Sequence, residues 1–196
     1  MDKKYKLTDE TITVDNHTLY RIRALRTLGM WVTPGDLGGW IESESNLSHE
    51  AHCWVYDDAK VWENARVNKN ASILNEVRVS GNAVIYEDTI ISGNAKVFGN
   101  ARLYGNCRVY GNAMIYEDAR LSGNARVYGI AAVSGDVHIS GTAWVCGNIF
   151  VGAGVKLDHG IWNRLIRMND KEYLISTTLR QVLVSGIDDQ RFPINI

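Results

Sequence analysis

The chain has 196 residues, with 21 Lys and Arg against 22 Asp and Glu and a formal net charge of −1, so no global field draws it to nucleic acid or to an anionic membrane. Eighteen glycines stand beside only two prolines, without the strict Gly-x-y period of collagen or the proline content of a disordered linker. Three widely spaced cysteines, with no Cys-x-x-Cys among them, argue against a disulfide framework and exclude a zinc knuckle or thioredoxin-type motif.

The opening residues, MDKKYKLTDETITV, hold no apolar run of the kind a secretory signal needs, and no run anywhere approaches membrane-spanning length. A cytoplasmic protein is expected. Within residues 1–46, LTDETITVDNHTLYRIRAL predicts two strands around the turn Asp15-Asn16-His17, and TPGDLGGWIESE predicts further turns. This segment is expected to be an N-terminal β cap, since any stack of strands must block its open end.

From Val55 the chain repeats every six residues. Stepping by six to Leu157 gives eighteen positions, all Val, Ile or Leu, without an insertion. Small or β-branched residues such as Cys53, Ala59, Ala65, Thr89 and Cys107 sit two places before them, and turn formers, most often Gly-Asn, follow. A period of six is foreign to an amphipathic helix, whose apolar face recurs at 3.6 residues. It is a multiple of the strand period of two, so each unit reads as a short strand plus a corner. The aliphatic residue and the small residue before it point inward, and Gly or Asn takes the left-handed backbone of the corner.

The repeat resembles that of hexapeptide β-helix proteins, whose three strands per coil imply about six coils over residues 47–158, a prism roughly 29 Å tall at a rung spacing of about 4.8 Å. Cys53 and Cys107 then share one inward position three coils apart, too far to bond, whereas Cys146 is expected to face outward. After Leu157 the period breaks. GIWNRLIRMNDKEYLISTTLRQVLVSG predicts strands around Asn169-Asp170 with a third strand following, and WNRLIRM is open to a helical turn instead. Residues 159–196 are expected to form the second cap.

The repeat resembles the hexapeptide signature of the left-handed parallel β-helix. YKLTDET, TLYRIRAL, GDLGGWIESE, NLSHEAHCWVYDDAKV and YLISTTLRQVLV resemble hexapeptide-repeat proteins of bacterial phages and prophages, including relatives described as transferases of the YdcK type. The likeness implies a homotrimer with parallel axes. For the many acyltransferases of this fold it also implies coenzyme A as cofactor and a histidine as general base.

Steps of eighteen residues assign the outward side chains to three faces. The first shows Trp54, Tyr56, Leu74, Ile90, Tyr110, Tyr128 and Trp144. The second shows Trp62, Phe98, Met114, Tyr116 and Phe150, diluted by Lys60, Arg78 and Lys96. So much exposed apolar bulk predicts self-association of these two faces. The third carries Arg66, Arg102, Arg120, His138 and Lys156 in one column beside Tyr86 and Tyr104. Two readings stand for it: a solvated column neutralised by the corner acids Glu63, Glu117, Asp118 and Asp136, or an anion site able to hold a nucleotide.

Of the five histidines, His138 projects from the prism and His159 follows the last coil, so either is the base if the protein transfers acyl groups from acetyl-CoA. His49 and His52 lack a third histidine at a matching position, and no metal site is expected. The sequence points first to a non-catalytic, oligomeric scaffold or binding protein. The alternatives are a CoA-dependent acyltransferase and a nucleotide- or protein-binding antagonist of host defence.

Overall fold

The computed structural model describes residues 2–152, 154–168, 171–176, 181–184 and 191–193. It is an all-β parallel solenoid of about seven turns. Among the described residues the repeat forms eighteen two-residue strands, from β4 (Trp54–Val55) to β21 (Lys156–Leu157), dealt in rotation to three parallel sheets. No helix among them is long and apolar enough to cross a membrane.

Register follows the sixfold frame: Leu103 lies over Ile85 and under Leu121, and Val109 lies between Ile91 and Val127. Backbone amides bond from coil to coil, as Arg102 N does to Ala119 O at 2.9 Å and Tyr104 N to Leu121 O at 3.0 Å. All eighteen aliphatic positions are buried, and so are Cys53 and Cys107. The three cysteines are unpaired. Burial pushes the Cys107 thiol up to about 11, so it behaves as a small apolar filler rather than a reactive group.

Corners explain the acidic interruptions of the Gly-Asn pattern. From Asp57 to Gly147 the corner residue has positive φ, whether Gly99 at 69° or Glu63 at 56°. At three corners a glycine amide is accepted by the side chain at the same corner one coil earlier. Glu63 Oε2 takes Gly81 N, Asn75 Oδ1 takes Gly93 N at 3.0 Å, and Glu87 Oε2 takes Gly105 N at 2.7 Å.

Both ends leave the eighteen-residue frame. The strands β1 (Tyr5–Val14) and β2 (His17–Ala24) form a hairpin whose two-residue turn, Asp15-Asn16, has φ of 48° and 68°, the geometry that matches strand twist. The sequence placed His17 in this turn; it instead opens the second strand. β2 pairs antiparallel with β3 (Leu37–Ile41), and β3 pairs parallel with Lys60–Val61, so the stack begins inside the segment expected to precede it. Gly38 and Gly39 are strand residues, not the expected turn. A Cβ on Gly38 would lie 2.6 Å from Val55 O, and one on Gly39 2.5 Å from Ala59 O.

Several contacts fasten this hairpin. Lys4 is buried and its Nζ donates to Cys53 O at 2.7 Å and Sγ at 3.1 Å; burial lowers its pKa. Tyr5 OH donates to Leu47 O at 2.8 Å. His17 Nδ1 lies 2.9 Å from Glu42 Oε1, and its Nε2 lies 3.7 Å from Glu63 Oε1. The hydrogen bond to Glu42 raises the His17 pKa and lowers that of Glu42.

At the far end β22 (Ile161–Met168) continues the sheet of Trp144–Val145, with Trp162 buried under Val145 and its Nε1 donating to His159 O at 2.8 Å. The strands β23 (Lys171–Ser176), β24 (Gln181–Val184) and β25 (Arg191–Pro193) follow, each antiparallel to the one before. WNRLIRM is therefore strand, and the turn expected at Asn169-Asp170 lies outside the described residues.

Two predictions concern the hairpin. Gly39→Ala should lower stability by about 1–3 kcal/mol in urea unfolding, the usual cost of forcing a methyl into closed space, with amide exchange quickened first over residues 5–41. The His17–Glu42 pair should contribute fully between the ordinary values of about 4.5 for Glu and 6.5 for His. A raised His pKa means that its share is lost as pH climbs through the folded value; a lowered Glu pKa means that the other share is lost as pH falls through that one. His17→Gln should flatten the upper limb of melting temperature against pH.

Candidate functional site

The sheet of Arg66–Val67, Val84–Ile85, Arg102–Leu103, Arg120–Leu121, His138–Ile139 and Lys156–Leu157 brings the basic column together. Arg66 neighbours Val84, Arg102 neighbours Arg120, and His138 sits between Arg120 and Lys156. Tyr86 and Tyr104 stack beside them with centroids 5.3 Å apart. His138 Nε2 lies 3.4 Å from Ser122 Oγ. His159 stands outside the column, exposed, with Nδ1 hydrogen-bonded to Asp158.

No direct ion pair links this column to the corner acids among the described residues, and Arg66, Arg102 and Arg120 join none there. The acids have other partners: Glu63 takes the Gly81 amide and faces His17, and Asp118 ends a ladder of corner amides. In that ladder Asn64 Nδ2 donates to Asn82 Oδ1 at 3.1 Å, Asn82 to Asn100 at 3.0 Å, and Asn100 to Asp118 at 3.1 Å. Asn82, Asn100, Arg102, Asp118 and Arg120 together line a polar depression where the column meets the corner.

The two apolar faces are smaller than the sequence implied. Trp54 is buried, with Tyr5 edge-on at 6.2 Å, and Trp62 is buried with Leu19 and Trp40 under Ile12 and Val14. Both were expected on the surface; the N-terminal hairpin covers them. Tyr56, Leu74 and Ile90 remain half-buried and line an apolar depression with Trp31 and Ser72. Tyr110 and Tyr128 stack at 4.8 Å, and the guanidinium of Arg126 lies 4.7 Å from the Trp144 ring. On the second face Phe98 and Tyr116 stack at 4.9 Å, Met114 is half-buried and Phe150 is exposed.

Each two-ring stack is followed in its column by a small buried residue: Ser122, Ser134 or Cys146. Cys146 is thus buried rather than displayed, because it lies next in line to Tyr128. Its hydrogen bond with Tyr128, together with burial, pushes that phenol up to about 12. His49 stacks on Tyr5 at 4.3 Å and lies 3.4 Å from Glu44, a packing role for one of the histidines weighed as a ligand.

Sequence reasoning missed Met30 and Trp31, which are 84% and 78% exposed. They sit at the tip of a tight loop closed by Leu28 and Val32. Two large apolar residues between the turn formers of TLGMWVTPG were the signal, but no period assigns a face there.

Three aligned ladders in a six-residue frame define a hexapeptide-repeat β-solenoid protein. Residues 119–135 match the family model of the YdcK β-solenoid repeat, close to one coil of chain at the centre of the basic column. No curated protein matches the chain.

Asn100→Ala removes two rungs of the amide ladder at once. At about 0.5–1.5 kcal/mol per hydrogen bond, urea unfolding should show a loss of about 1–3 kcal/mol with an unchanged far-ultraviolet spectrum.

Proposed function

We propose that this protein is a non-catalytic, rigid solenoid scaffold, of the kind phages and prophages carry, that works as a homotrimer. The observation that supports this reading best is the apolar surface around Trp31. Its exposed indole lies at a depression lined by Tyr56, Leu74 and Ile90, and Met30 beside it in sequence is more exposed still. Monomers seldom leave such large side chains uncovered around an apolar hollow.

The occupant proposed for this surface is a second copy of the chain. The neighbouring face offers a different apolar surface, the Phe98–Tyr116 stack with Met114 and the exposed Phe150. Two unlike patches on adjoining faces make a heterologous contact, and three copies with parallel axes close such a contact into a ring without leaving a free edge. The rigid coils then hold the remaining surface in a fixed array.

Light scattering is expected to give a mass near three times 21.9 kDa; a monomer mass would overturn the reading. Trp31→Glu and Ile90→Glu should each weaken association by about thirtyfold or more, the cost of a lost interface anchor, while circular dichroism stays unchanged. Association that survives both substitutions would place the contact elsewhere.

A further inference from the structure

Independently of self-association, we propose that the depression between Arg102 and Arg120 binds a phosphorylated sugar, with the phosphoryl group held by both guanidiniums and a sugar hydroxyl donating to Asp118.

Three observations carry this. First, Arg102 and Arg120 are direct neighbours across a parallel ladder, about 4.8 Å apart at the backbone. Like charges so placed repel, and neither has an ion-pair partner among the described residues. An anion between them removes that repulsion, and guanidinium forks match the oxygens of a phosphoryl group two at a time.

Second, the wall is not uniformly basic. Asp118 lines the same hollow. One of its oxygens accepts from Asn100, and an ionised carboxylate has acceptor sites to spare. A bare phosphate or a nucleic-acid backbone would meet repulsion there. A ligand with an anionic end and a hydroxylated end satisfies both walls. Asn82 and Asn100 each spend one amide hydrogen on the ladder and keep a second for the same hydroxyls.

Third, the corner wall of the depression is set before any ligand arrives. The amide ladder holds Asn82, Asn100 and Asp118, and the coil-to-coil backbone bonds hold the arginine Cα atoms, so the ordering cost of binding falls on the two exposed arginine side chains alone. The other paired arginines lack this setting. Arg108 and Arg126 are neighbours too, but Arg126 lies over the Trp144 ring.

Calorimetry at fixed salt with ribose 5-phosphate, inorganic phosphate and ribose tests the proposal. Ribose 5-phosphate should bind at least about tenfold tighter than either part, and Arg102→Ala or Arg120→Ala should each lower that affinity by about tenfold or more. Asp118→Asn should tighten inorganic phosphate and erase most of the advantage of the sugar phosphate, while Arg108→Ala leaves both unchanged. Melting temperatures of all four variants serve as the folding check; a variant that melts early is replaced by Arg→Gln or Asp→Ser at the same position. Equal binding of inorganic phosphate and ribose 5-phosphate would overturn the proposal, as would indifference to the two arginines. Tighter binding of a short oligonucleotide, lost in the same variants, would overturn it in favour of a nucleic-acid track.

Discussion

The backbone ladder between consecutive coils constrains everything else in this molecule. Amides such as those of Arg102, Tyr104 and Asn106 reach carbonyls of the next coil, and others do so on all three sides, so a coil can neither swell nor shift without breaking bonds on every side at once. Inside, this leaves room for one aliphatic and one smaller residue per strand, which is why Cys53 and Cys107 fit where other coils place alanine. At the corners it brings backbone so close that a Cβ on Gly81 would lie 2.8 Å from Gly99 N. Glu63, Asn75 and Glu87 are accommodated at equivalent corners and return a hydrogen bond to the glycine amide above them. Variation that serves function is thereby confined to outward positions on the flats and to the residues beside the corners.

The same ladder decides what could be read from sequence. Wherever the step of eighteen holds, facing and neighbours follow without ambiguity, and Arg102 beside Arg120 or Phe98 stacked on Tyr116 needed no further information. The ends keep no such step. Ile41 pairs with Val61 and Leu47 with Val67, intervals of twenty, whereas Trp162 meets Val145 after seventeen. A frame shifted by one residue inverts every inward and outward assignment, and one shifted by two keeps the facing but moves the corners. Gly38-Gly39 therefore read as a turn although β3 lies flush on the first coil, and nothing in the spacing announced that a hairpin would bury Trp54 and Trp62.

Hydrogen bonding by the corner acids was hidden for a different reason. Sequence places Glu63 and Asp118 near Arg66 and Arg120, and proximity suggests pairing. The corner directs those carboxylates along the solenoid axis, Glu63 toward the Gly81 amide one coil later and Asp118 toward the Asn100 side chain one coil earlier, where each gains a fixed partner without ordering a long basic side chain. Spacing alone gives proximity; the backbone conformation at the corner gives direction.

One consequence is a separation of charge by position. The eighteen outward residues that precede the aliphatic ones include nine Lys or Arg and no acid. Carboxylates compete poorly for strand positions but suit turns and tolerate positive φ, and Lys and Arg stems can cover a sheet face while their heads stay in water. Fold chemistry thus explains why cations occupy flats and acids occupy corners. It does not require cations to sit on consecutive rungs of one sheet, where they repel. Val84 shows that an uncharged residue fits the column between Arg66 and Arg102. Arg120 directly above Arg102 repeats a stacking also found at Lys60, Arg78 and Lys96, but of these only the Arg102–Arg120 pair adjoins an amide ladder that ends in a carboxylate, and that setting is what the proposed ligand would use.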